Sequence, residues 1–444
     1  MGHRRRLLQT AARSATHSVR TLRLLPWLLL APLTAVAMLA QEGSVATQEE
    51  PVSALVEPKR SRLMFHGFGT LGLVHSSEDQ ADFVADLVRP EGPGFSREWS
   101  AASDSRLGLQ LTVELTKKLS AVVQGIVEQQ FDEDYEPTLE WANLKYAFTE
   151  DFSVRIGRTA LPGFVASDYR KVGYAYIWLR PPVEFYGLAP LFNADGIDAI
   201  YRHRFAGWTN TAQANFGATD FDLPGGANVE IRELIGVHDT LERGSLSLRA
   251  THTTSRISVD ALGPLFAAFR SFGPEGQVLA DRFDADEKDL RFLTLGVSYD
   301  PGRWFVIAEL GRIHTHSFIG DRTAGHVTGG YRLGKLTPYA VYSESVADSP
   351  LSSPGLTLSA LPPPLVQPAM GLNATLNDLL GVLVEQRTVS LGARWDYHRN
   401  AALKVQVDRV DAGAGSFGTF SNRQPGFGRG GETTLISIAT TFVF

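Results

Sequence analysis

Cysteine is absent from the 444 residues, which removes thiol nucleophiles, disulfides and zinc–thiolate sites together and leaves no redox compartment to read. Long hydrophobic runs are missing as well: beyond residue 40 no stretch approaches the ~18 consecutive apolar residues that a membrane helix needs. Any contact with a bilayer must therefore be made by strands. A basic excess is lacking too. The formal charge is −6, and loss of the first forty residues, which hold six arginines and no acid, would take it to −12. Such an acidic chain argues against a nucleic-acid partner.

Those first forty residues form a separate object. Arg4, Arg5, Arg6, Arg13, Arg20 and Arg23 precede an apolar stretch from Leu24 to Ala40, which is interrupted by Pro26 and Pro32 and ends among Ala35, Val36, Ala37 and Ala40. A basic head, an apolar middle and a small-residue end make residues 1–40 a secretory signal, cleaved after Ala37 or Ala40. Residues 41–62 are polar, carry Pro51 and Pro58, and are expected to form a flexible periplasmic lead-in. One folded unit, 63–444, remains.

Within it the dominant period is two. At the C-terminus Thr434, Ile436, Ile438, Thr440, Phe442 and Phe444 alternate with the smaller Leu435, Ser437, Ala439, Thr441 and Val443. Leu107, Leu109, Leu111, Val113 and Leu115 likewise alternate with Asp104, Arg106, Gly108, Gln110, Thr112 and Glu114, a partition that helical spacing cannot produce. Segments of about ten residues with this character fall at 63–75, 104–115, 119–130, 139–149, 152–158, 195–205, 208–217, 229–240, 244–254, 289–299, 303–314, 324–333, 336–345, 387–397, 401–410 and 432–444. That makes sixteen, an even number.

Connections between them alternate between short turns, such as Lys117-Lys118, Ala206-Gly207 and Gly334-Lys335, and longer segments at 76–103, 131–138, 159–194, 218–228, 255–288, 315–323, 346–386 and 411–431. Sorting of loop lengths to two sides fits a barrel inserted from the periplasm, with short turns inside and long loops outside; a Greek-key sandwich has no reason for it. The expectation is an all-β, antiparallel, up-and-down transmembrane β-barrel of sixteen strands.

The chain resembles the Gram-negative general porins. The resemblance is carried by the terminal Thr440-Thr441-Phe442-Val443-Phe444, by the alternating loop lengths and by Gly157-Arg158-Thr159-Ala160-Leu161-Pro162 opening a long third loop. It covers nearly all of 63–444. It implies a sixteen-stranded, usually trimeric outer-membrane barrel in a Gram-negative bacterium, with lipid and lipopolysaccharide around it. The third loop would fold into the lumen and narrow it. Phe442 and Phe444 would form the signal read by the outer-membrane assembly machinery. The implied function is a water-filled channel for passive diffusion of ions and small hydrophilic solutes, without cofactor or catalysis. A substrate-specific channel for sugars or anions is the alternative, and a barrel-borne enzyme a more distant one.

Parity places Arg106, Arg155, Arg202, Arg204, Arg249 and Arg394 on the polar faces of their strands, with Glu114, Asp198, Asp396 and Asp408. Facing lipid near the midplane each would cost ~2–4 kcal/mol, so they are expected to face water. With the third loop inside, Asp168, Glu184 and Asp195 would oppose some of these arginines across the constriction and screen solutes by charge; the plainer alternative is that the arginines neutralise neighbouring wall carboxylates. The acidic excess suggests mild cation preference. Other constellations have ordinary explanations: Asp132, Glu133, Asp134 and Glu136 as a solvated cluster, His314 and His316 as rim residues, and Gly67, Gly69 and Gly72 as small residues packing in the first strand. No metal site is assigned. Trp141, Tyr146, Trp208, Trp304, Trp395 and Tyr397 suit aromatic girdles. His252 and Ser255 supply catalytic atom types, but no spacing links a nucleophile, base and orienting acid.

Overall fold

The computed structural model describes residues 62–189 and 192–444, so the expected signal and nearly all of the expected lead-in lie outside the described residues. Sixteen strands form the wall: β1 Leu63–Ser76, β2 Arg106–Glu114, β3 Leu119–Glu128, β4 Thr138–Ala147, β5 Phe152–Ala160, β6 Asn193–Phe205, β7 Trp208–Leu223, β8 Ala227–Arg243, β9 Leu246–Val259, β10 Lys288–Tyr299, β11 Trp304–Thr315, β12 Arg322–Tyr331, β13 Leu336–Ala347, β14 Gln386–His398, β15 Ala401–Ala412 and β16 Gly431–Val443. Each pairs antiparallel with its sequence neighbours, and β1 closes the circle by pairing with β16 from Phe68↔Val443 to Ser76↔Leu435. A closed sheet has no unpaired edge, which is the condition for crossing a bilayer with strands. Among the described residues no helix is long and apolar enough to cross one.

Alternation sorts the side chains as expected. Leu107, Leu109 and Leu111 on β2, Val389 and Leu391 on β14, and Ile436 and Ile438 on β16 are exposed on the outer face, while Ser390, Ser437 and Thr441 turn inward and are buried. Tyr146, Trp304, Trp395 and Tyr397 stand exposed near the short-turn ends, where an aromatic ring meets the membrane interface. Trp141 does not join them. The pairing of β3 with β4 slips between Gln124 and Gly125, and Trp141 ends up opposite the buried, inward Gln124. That extra residue reverses its face.

The chain terminus is built into the wall. The Phe444 N–H and carbonyl exchange 2.9 Å hydrogen bonds with Gly67, and the Phe444 and Phe442 rings lie over Gly67 and Gly69. A Cβ on these glycines would stand 2.1 and 2.4 Å from the ring tips, so both positions are small because rings cover them.

One expected long loop is not a loop. Residues 218–228 instead continue β7 and begin β8, leaving a turn of Pro224-Gly225-Gly226 in which both glycines have positive φ. The pairing of β8 with β7 and β9 is interrupted at Glu233, where φ is 50°, and resumes above it. Above the barrel, α2 (Gly263–Arg270) and α3 (Gly273–Phe283) from the fifth connection pack with α4 (Pro363–Gly381) from the seventh around Phe266, Phe269, Phe283, Leu376 and Leu380.

Candidate lumen site

The third connection, 161–192, turns into the barrel and is fastened to its inner wall by buried polar groups. Pro162 and Gly163 offer their carbonyls to Thr251 and Thr294, and the Val165 N–H donates to Glu309 Oε2 at 2.7 Å. Glu309 Oε1 accepts from the Tyr186 hydroxyl at 2.7 Å and lies 3.1 Å from His326 Nε2. Lys404 Nζ, fully buried, donates to the carbonyls of Gly173, Tyr176 and Trp178 at 2.6, 2.7 and 2.6 Å. Arg180 forks onto Asp104 and also reaches Asp408 and Ser437. Apolar packing completes the seal. Phe164, Trp178, Phe185 and Tyr186 of the loop meet inward Phe292, Ile313 and Tyr339 of the wall.

Charges buried this deeply persist only because each is hydrogen-bonded, Arg180 to carboxylates and Lys404 to carbonyl oxygens. Lys171 of the third loop and Arg89 of the first both pair with Glu128, so two loops share the upper lumen. The inward residues toward the short turns of β4–β7 are in a different state: Lys145, Arg202 and Arg204 point inward and remain exposed.

The expected lumen residues separate into groups. Arg155 is inward and bonds Asp198 at 2.6 Å; Arg202 is inward and exposed; Arg249 is inward and donates to the Pro162 carbonyl at 3.1 Å. Arg106 is turned to Glu128 at 3.6 Å, and Arg394 binds Asp396 and the carbonyls of Tyr174 and Tyr176. Asp168 is exposed on the loop.

Two of the three expected constriction acids stand elsewhere. Asp195 belongs to β6, not to the loop; it shares the alternation of the outward Ile197 and Tyr201, is about half exposed, and pairs with Arg158 at 2.6 Å. Glu184, in the short α1 (Val183–Tyr186), is buried against the wall and accepts from Ser343, Gln386 and Thr388. Burial pushes its carboxyl above the ordinary value. Acids and arginines therefore do not face each other across an open constriction as a set.

Lys404, Glu309, His326 and Arg180 were not singled out from the sequence. Lys404 shares the inward parity of Asp408 within a strand whose other face is apolar from Ala401 to Val407, and that alternation is the signal that marks it. His252 and Ser255, raised as catalytic atom types, sit on opposite faces of β9: His252 pairs with outward Leu293 and Ser255 with inward Leu290.

A closed sixteen-stranded barrel with a loop folded inside is now joined by the sequence comparison: residues 28–442 match the family model of the Gram-negative porins. The chain belongs to that family. It is an outer-membrane porin, a channel for passive diffusion of small solutes. No curated protein matches it by sequence. Among solved structures it is similar in fold to the outer-membrane channel DcaP of Acinetobacter baumannii (12% identity, TM-score 0.52, covering 86% of this chain and 97% of that one). It is similar to an anion-selective porin from Comamonas acidovorans (13%, 0.51, 86% and 99%). OmpF of Salmonella typhi, solved with daunomycin, stands at the same level (13%, 0.50, 86% and 97%). At these identities the likeness concerns the fold.

Proposed function

We propose that this porin passes ions and small hydrophilic solutes along the part of its lumen that the third loop leaves wet, with the first and third loops setting the restriction. The observation that carries this reading is the exposure of Lys145, Arg202 and Arg204 although their parity turns them into the barrel: charged groups there are stable only in water. The tight seating of the third loop also favours the narrower reading, a channel selective among solutes, because a lumen filled by packed side chains leaves little cross-section for bulky ones. The separation of His252 from Ser255 supports a channel without catalysis. The same reading includes assembly as a homotrimer and recognition of Phe442 and Phe444 by the assembly machinery; family membership supports the first, and the place of both rings at the end of the strand that closes the barrel supports the second.

The test is single-channel recording of the purified porin in a planar bilayer. Ohmic steps of low conductance are expected, with sugars of increasing size reporting the cutoff. Folded protein that stays silent would overturn the pore.

A further inference from the structure

We infer that Lys145, Arg155 and Arg202 form a binding station for small oxyanions, carboxylates and phosphate, on the inner wall toward the periplasmic turns. The three come from adjacent strands. Lys145 on β4 is directly opposite Arg155 on β5, Arg155 is opposite Asp198 on β6, and Arg202 lies on the same face of β6 four residues further toward the turn, beyond Ile200. Arg155 and Arg202 both act electrostatically on Lys145. Like charges placed directly opposite across a sheet are unfavourable, so the wall holds an arrangement that a bound anion would relieve.

Neutralisation from the wall is incomplete. Asp198 is the carboxylate in contact, and its Oδ2 is shared between Arg155 Nη2 and Gln213 Nε2, both at 2.6 Å. Arg155 is thus paired with Asp198, while among the described residues the side chains of Lys145 and Arg202 have no acid in ion-pair contact. Arg155 Nε and Asp198 Oδ1 are both buried without a hydrogen-bond partner among the described residues, so this donor and this acceptor are left unused beside Lys145. Arg204, further toward the turn, lies 3.9 Å from Asp151. Glu114 on β2, Asp168 on the third loop and Asp396 on β14 also face the lumen or its loop, but among the described residues none is hydrogen-bonded or ion-paired to the three cations.

Exposure makes the station reachable. Lys145 and Arg202 are uncovered, in contrast to Lys404, whose three donors are consumed by loop carbonyls. A guanidinium presents a planar fork that matches a carboxylate or phosphate edge, and the lysine adds a mobile point charge. A wall of one sign in a low-dielectric cavity concentrates the opposite ion. The local field therefore opposes the chain's net −6, and the porin prefers anions where the overall composition suggests cations.

The inference concerns selectivity within the proposed pore, so its test is read without conduction. Purified wild-type porin and a Lys145→Gln/Arg202→Gln double variant are titrated calorimetrically at low salt with inorganic phosphate and, separately, with succinate. Both substituted side chains are exposed, and heat-modifiable gel migration verifies folding of the variant. Saturable binding to the wild type of either anion, at least tenfold weaker in the variant, supports the station, and the ranking of the two anions tells phosphate from carboxylate preference. Absent binding of both to the wild type, or equal binding by the two proteins, overturns it. A protein that binds but carries no current would instead count against the pore and leave the station standing. In a salt gradient across a planar bilayer, the reversal potential is expected to favour anions in the wild type and to move toward cations in the variant.

Discussion

Two stretches of one inner wall follow the same alternation and reach opposite states. Along β11 to β16, Glu309, His326, Thr328, Ser343, Thr388, Lys404, Gln406, Asp408 and Ser437 are buried, and almost all of them bond to the third loop or to one another. Along the lower part of β4 to β6, Lys145, Arg202 and Arg204 keep their charges in water. Parity sets which side chains enter the lumen. Whether a loop covers them decides if they become structural fasteners or part of the passage.

The largest effect should come from unfastening the covered stretch. Lys404→Met removes the donor that three loop carbonyls share, and each carbonyl left buried without a partner costs about 1–3 kcal/mol. The loop is expected to leave the wall while the barrel, held by its ladder, stays closed. Single-channel conductance should rise and trypsin should gain access to Lys171. Unchanged conductance in the folded variant would mean that the apolar contacts of Phe164, Trp178 and Phe185, with the bonds of Arg180, Glu184 and Glu309, hold the loop without Lys404.

A smaller effect separates the two faces of one strand. Leu109 is exposed on the outer side of β2, and its neighbour Gln110 points inward, where Gln124 donates to it at 2.8 Å. Leu109→Arg should cost ~2–4 kcal/mol near the midplane and impair insertion, whereas Gln110→Arg should insert normally and alter conductance. Equal damage from both would break the assignment of faces.

The barrel itself was legible because a period of two along sixteen strands leaves little choice: Leu107 through Leu115 can share a face only in an extended chain. Terminal Phe444 was legible for the same reason, but its seat on Gly67 was not, since that contact joins the two ends of the described barrel. The third loop was harder. Glu184 and Asp195 are both acids near the expected constriction, yet one lies in a helical turn pressed on the wall and the other is two residues past the start of β6. Loop conformation has no period to read, whereas Asp195 already opens the expected strand 195–205 and lies an odd number of residues from inward Asp198, so alternation alone places it on the outer face. Trp141 was lost to a single bulge.

The smallest effect concerns pH and the covered stretch. Glu184 is buried, and desolvation raises its carboxyl above the ordinary 4.5, although hydrogen bonds from Ser343, Thr388 and Gln386 pull the other way. In the folded porin this acid therefore keeps its proton at pH values where the unfolded chain has released it. The stability it contributes is complete below the ordinary carboxyl range and declines as pH rises through the raised value. Seating of the loop should accordingly weaken as pH is raised from about 4.5, seen as a falling thermal transition and faster cleavage at Lys171 by a protease of constant activity over that range. Glu184→Gln mimics the neutral acid: its carbonyl can still accept from Thr388 and Gln386, and its amide can donate to the Ser343 hydroxyl. The variant should flatten this part of the profile; a slope as steep as the wild type's would assign the pH response to another group and leave Glu184 a charged member of the network.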